Sequence, residues 1–271
     1  IARAFLQPEP TIAQRIVRAK RTLAQKQVPF EVPRQAALPQ RLASVLEVIY
    51  LVFNEGYAAS AGDDWMRPAL CEEALRLGRV LAHRLPAWPQ VHGLLALMEL
   101  QASRSAARVG ADGSPVLLPD QDRARWDWLQ IARGQAALQR AQALGGSDDA
   151  YVLQAAIAEC HACARHAEDT DWARLAALYA RLAQLHPSPV VELNRAVAVA
   201  RAQGAAAAWA LLLPLREDPR LRDYAPLAAA CGDVLQRLGR TDEARAAFAQ
   251  AAALSANARE KQALLARAAA L

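Results

Sequence analysis

Apolar positions recur along this chain at intervals of three and four residues. In residues 228–255, AAACGDVLQRLGRTDEARAAFAQAAALS, they form two stripes separated by Leu238-Gly239, the pattern of two amphipathic helices joined by a tight turn. Gly239 suits the left-handed backbone at the end of the first helix, and Thr241 with Glu243 opens the second. Gly232, Ala244 and Ala251 mark close approach of the two helices, with Leu235 and Phe248 filling the space between them. Residues 72–86 repeat the pattern of a second helix ended by proline, and residues 91–100 that of the next first helix. Residues 46–60 predict an apolar helix interrupted by Asn54 and Glu55. Residues 11–25 place Ile12, Ile16, Ala19 and Leu23 at i, i+4, i+7 and i+11, one apolar stripe on a helix that Thr11 can cap.

Two stretches break this rhythm. Pro29, Pro33 and Pro39 with little periodicity predict a partly extended linker over residues 28–45. In VGADGSPVLL, Asp112-Gly113 between short apolar arms predicts a small β-hairpin excursion near residues 107–118. Asp120-Gln121-Asp122-Arg123 is expected to start the helix holding Trp126 and Trp128, acidic residues suiting a helix N-terminus.

Gly232, Leu235, Leu238, Gly239, Ala244, Phe248 and Ala251 fall in the register of the tetratricopeptide repeat, which residues 228–255 resemble. One repeat back from Phe248 lies Leu213 and one further Tyr179, spacings of 35 and 34 residues. A helical hairpin cannot bury its apolar face alone, so stacked neighbours are required. The expected fold is all-α: a tetratricopeptide-like solenoid over residues 46–271, with a concave face.

Composition agrees: 54% of the 271 residues are hydrophobic, dominated by Ala and Leu rather than β-branched runs. No apolar run approaches the about 18 residues of a membrane span. Cys71, Cys160, Cys163 and Cys231 are scattered, which fits reduced thiols in a cytoplasm. Charge changes the picture more. Residues 1–41 hold eight Lys and Arg against Glu9 and Glu31, a net of +6 in a chain of net +5, so the basicity belongs to the N-terminal segment. That suggests a nucleic-acid partner; the plainer alternative is a solvated basic helix. Gln14, Arg15, Arg18 and Arg21, with Lys20 alongside, lie off the apolar stripe, as on a helix that enters a major groove.

The residues IARAFLQPEPTIAQRIVRAKRTLA resemble the end of region 4 of extracytoplasmic-function sigma factors, the helix-turn-helix that reads the −35 promoter element. The matching positions are Thr11, Ile12, Ala13-Gln14, Arg15, Ile16 and Arg18-Ala19-Lys20. VPFEVP (28–33), LVFNEGYAAS (51–60), LCEEALRL (70–77), LPDQDRARWD (118–127), AEDTDWARLAALY (167–179) and PSPVVELNRAVAVA (187–200) resemble the subgroup carrying a long tetratricopeptide-like extension. The resemblance covers essentially the whole chain. It implies that residues 1–27 are the second half of region 4, that Gln14 and Arg18, with Val17 between them, meet base edges, and that Thr11, Arg15, Lys20 and Arg21 sit on phosphates. It implies promoter DNA and core RNA polymerase as partners, and a C-terminal domain that regulates initiation by docking on the sigma domains or a signalling protein. Region 2 and the first half of region 4 have no counterpart here, so the chain is expected to be part of a longer protein.

Other chemistry is sparse. Glu55 in an apolar run needs a partner, for which Arg104 and Arg108 are candidates. Asn194 and Arg195 are expected on the concave face and join Asn54, Glu55, Arg104 and Arg108 as a partner-binding or internal network. Cys160, His161, Cys163 and His166 invite a zinc reading, but on a helix His161 and His166 face away from the side shared by the cysteines. No phosphate loop, nucleophile elbow or catalytic carboxylate pair occurs, so no enzyme, cofactor or metal is expected. Two functions remain: a regulated sigma factor, and a tetratricopeptide-type interaction scaffold without DNA binding.

Overall fold

Prolines and short acidic or amide side chains set where the helices begin. Pro sits in the first turn of α1 (Glu9–Lys26), α2 (Leu38–Tyr57), α3 (Pro68–Arg84), α4 (Pro89–Ala102), α8 (Pro189–Ala202) and α10 (Ala225–Arg237), where a missing N–H costs nothing. Asp127, Asp149 and Asp171 accept from first-turn N–H groups of α5 (Trp128–Ala143), α6 (Ala150–Ala162) and α7 (Trp172–Leu185). Asn257 does the same for α12 (Ala258–Ala269), which follows α9 (Ala205–Arg216) and α11 (Thr241–Leu254). The computed structural model describes residues 2, 5, 7–27, 37–59, 66–111 and 113–271.

The fold is all-α. Helices α2–α3, α4–α5, α6–α7, α8–α9 and α10–α11 form successive hairpins, and α12 packs on α11. Their buried faces make a run of adjoining apolar clusters from Leu42 in α2 to Ala268 in α12, the stacked core expected of hairpin repeats. The last full hairpin follows its sequence closely. Phe248 is fully buried, and a Cβ on Gly232 would lie 2.7 Å from its ring. Gly239 turns the chain at φ +74°.

Several details differ from expectation. Leu42 lies buried in α2, which starts at Leu38, so residues 38–45 are helix rather than linker. Residues 28–36, with most of the expected linker prolines, lie outside the described residues. Helix α1 starts at Glu9 without a side-chain cap, so Thr11 is in its first turn rather than before it. Leu212, not Leu213, is the buried counterpart of Phe248 in α9; Leu213 is 46% exposed. The chain before α5 makes 3-10 turns at Leu118–Asp120 and Arg123–Arg125, because Asp122 caps the second turn and Asp127 the helix itself. The excursion survives in reduced form: Val109 and Pro115 make an isolated antiparallel bridge, Gly110 N–H donates to the Ser114 carbonyl at 2.9 Å, and Asp112 lies outside the described residues.

The array also curls on itself. Ala59, just past α2, shares a crevice of about 350 Å³ with Tyr224, Leu254 and Asn257, and the Arg259 guanidinium of α12 covers Gly113. No helix among the described residues is long and apolar enough to cross a membrane.

A polar groove lined by successive helices

Four helices each present one amide side chain to the same space. Asn54 of α2, Gln101 of α4, Gln154 of α6 and Asn194 of α8 line a groove of about 940 Å³. Leu97, Ile157, Leu182 and Val190 supply its apolar patches, so polar groups are few and spaced, as in a ligand-binding cleft.

The aromatic and basic groups around these amides are largely withdrawn from water. The Tyr50 hydroxyl donates to Gln154 Oε1 at 3.2 Å, and burial raises the Tyr50 phenol above its ordinary value. Burial likewise pushes the Tyr179 phenol up to about 12. Burial, and then the positive charges of Arg104 and Arg123, pull His161 down to about 4. At neutral pH the groove therefore holds neutral phenols and a neutral imidazole. Arg123 donates through Nε to the Ala164 carbonyl at 3.0 Å and lies over the Trp126 ring.

Two arginines converge on one tyrosine. Arg104, only 9% exposed, donates to the Tyr57 hydroxyl at 3.1 Å. Arg108 lays its guanidinium over the same ring, 3.4 Å from the centroid, a desolvated cation–π contact. Burial lowers the Arg108 pKa from its ordinary value. Glu55 pairs instead with Arg67 at 3.6 Å, so neither Arg104 nor Arg108 is the partner expected of it. Among the described residues, Arg104 Nε and Gln101 Oε1 are buried here without a partner.

Of the six residues expected in a partner or internal network, Asn54, Glu55, Arg104 and Asn194 line this groove. Arg108 sits behind Tyr57, while Arg195 pairs with Glu192 one turn away along α8. Sequence reasoning missed Tyr50, Tyr57, Gln101, Gln154 and Tyr179. A signal existed: each of these helices carries an amide within a short, mostly apolar run, in LVFNEGY, LMELQA, VLQAAI and VELNRA. Of the cysteine–histidine set, Cys160 is buried and Cys163 follows the end of α6, whereas His161 faces the groove with its ring edge-on to Trp172. Among the described residues no three His, Cys, Asp or Glu side chains are grouped to hold a metal ion.

The basic helix α1 stands apart from the hairpins. Gln14, Arg15, Val17, Arg18, Lys20 and Arg21 are exposed and Thr11 is half-buried. Among the described residues none of those four cations joins an ion pair. The apolar stripe is only partly covered: Ile12 is 9% exposed, Ile16 38% and Leu23 56%. Ahead of α1, Phe5 and Gln7 reach the groove.

Residues 41–142 match a family described as one of unknown function, DUF6596. An uncharacterised protein of Rhizobium meliloti (strain 1021) is 47% identical over 260 residues, which cover 96% of this chain and 61% of that protein. The chain thus spans about three fifths of the curated relative it matches. No solved structure matches it.

Proposed function

We propose that this chain is the C-terminal part of an extracytoplasmic-function sigma factor, in which α1 reads the −35 element and the helical array regulates initiation through protein contacts. The observation that supports it best is the chemistry of α1: an 18-residue helix with an amide and, on its exposed side, cations that join no ion pair among the described residues, ahead of an array that is close to neutral. Gln14 and Arg18 would read bases, and Thr11, Arg15, Lys20 and Arg21 would hold phosphates. Promoter DNA, core RNA polymerase and either the protein's own sigma domains or a signalling protein are the partners this role needs, and the cytoplasm is where they meet. No catalytic step is part of it. The test is promoter-specific transcription by core polymerase with the intact protein and its Arg18→Ala variant. A strong loss of output at the cognate promoter is expected; undiminished output at that promoter overturns the reading. The scaffold alternative draws on the groove, to which α1 itself contributes no residue. It predicts partner binding that is indifferent to replacing the α1 cations Arg15, Arg18, Lys20 and Arg21 by alanine.

A further inference from the structure

The groove is lined by a residue with a donor and a residue with an acceptor that no described residue uses. Arg104 lies just past the end of α4, nine-tenths buried, with one nitrogen on Tyr57 and Nε without a partner. Three residues earlier, Gln101 lines the same groove and has a buried Oε1 without a partner among the described residues. Among the described residues no carboxylate pairs with Arg104. A buried cation without a counter-charge is costly, and an unmet buried acceptor adds to the cost. A site that keeps both is built for a ligand that supplies an anion and an N–H side by side.

The balance of charge narrows the anion. Arg108 lies flat on Tyr57, Arg123 is engaged on Ala164 and Trp126, and His161 is neutral at pH 7. Arg104 is thus the guanidinium beside the groove with a nitrogen left over for a ligand, and one forked contact of that kind suits a carboxylate. The row of amides from Asn54 to Asn194 suits an adjoining peptide-like backbone.

We propose that the groove binds an amino-acid-derived carboxylate whose anion pairs with Arg104 and whose neighbouring amide N–H donates to Gln101 Oε1. Two sources present that chemistry: a small N-acylated amino acid, and the free C-terminal residue of a peptide chain. The proposal does not depend on the transcription reading, and it is tested by binding alone.

The experiment is a thermal-shift screen, followed by calorimetric titration, of an array of N-acetylated tetrapeptides covering every last residue, each as free acid and as C-terminal amide. The corresponding N-acetyl amino acids and inorganic phosphate run beside them. At least one free acid is expected to raise the Tm and to bind at least tenfold more tightly than its amide. Equal binding of the N-acetyl amino acid assigns the small-molecule source, and a clear preference for the tetrapeptide assigns the peptide terminus. Arg104→Met is expected to abolish the acid–amide difference while holding or raising the Tm of the ligand-free protein, because it removes a buried uncompensated charge. The proposal is overturned if no free acid in the array binds at millimolar concentration, if acids and amides bind alike, if phosphate binds more tightly than every carboxylate, or if Arg104→Met lowers the ligand-free Tm, which would show that the charge is satisfied within the fold.

Discussion

Glu99 is an acid in the last turn of the apolar helix α4, 2% exposed. It is tolerated because Arg79 reaches across from α3 and donates through Nε and a second nitrogen, each at 2.8 Å, to Oε1. Removing one partner of a buried pair leaves the other charge in a medium that cannot solvate it, a loss of about 3–5 kcal/mol. Arg79→Met is therefore expected to lower urea-unfolding stability on that order, and Glu99→Met in the same background is expected to restore most of it. His161 makes the same point through pH. Its folded pKa of about 4 lies below the ordinary histidine value because of burial, then Arg104 and Arg123. The unfolded chain binds the proton more readily, so stability is full above about pH 6.5 and falls as the pH drops toward 4. Thermal melts from pH 7.5 to 4.5 should show this fall, and His161→Gln should make it shallower.

At the scale of the helix pair, Phe248 and Gly232 interlock. Phe248→Ala opens a cavity at a fully buried site, expected to cost about 3–5 kcal/mol. Gly232→Ala pits two effects against each other: alanine in a helix gains about 1 kcal/mol over glycine, while a Cβ at 2.7 Å from the Phe248 ring brings overpacking of about 1–3 kcal/mol. Overpacking wins, so the variant should melt lower, with Phe248→Leu in the same background recovering part of the loss. This pair was legible in the sequence because its signals are local: a glycine, a tight turn and an aromatic at repeat spacing. The one-residue error at Leu213 arose because repeat length is not constant, and the fixed step fell beside Leu212. Helix α2 starts eight residues before the expected position, at Leu38 rather than Leu46; Pro39 suggests a break, although a proline in the first turn loses no hydrogen bond. The groove was legible only in part. Asn54 and Asn194 stand out as amides among apolar residues, but Tyr57, Tyr179 and His161 read as ordinary core until the curl of the array brings α2, α6 and α7 to one space. The partner of Glu55 was misassigned for the same reason, since nothing local distinguishes Arg67 from Arg104.

At the scale of the whole molecule, an exposed basic helix precedes a near-neutral curled array, and under the proposed function the two would divide the labour of recognition. If α1 holds DNA phosphates, each cation in contact displaces counterions, and the slope of log affinity against log salt falls by about 0.9 for each one neutralised. Arg15→Ala, Lys20→Ala and Arg21→Ala in the intact protein are each expected to flatten that slope by nearly one and to weaken all sequences alike. Arg18→Ala is expected to do something different: it should lower affinity for the cognate site by about 1–3 kcal/mol while leaving non-specific binding nearly unchanged. Fluorescence anisotropy at several salt concentrations, on cognate and scrambled duplexes, separates the two behaviours. A merely solvated basic helix predicts neither, because its charges would be screened individually and no register would single out Arg18. The contrast between a uniform loss at three positions and a selective loss at the fourth therefore decides whether the basicity concentrated in residues 1–41 is a reading head or only a charged surface.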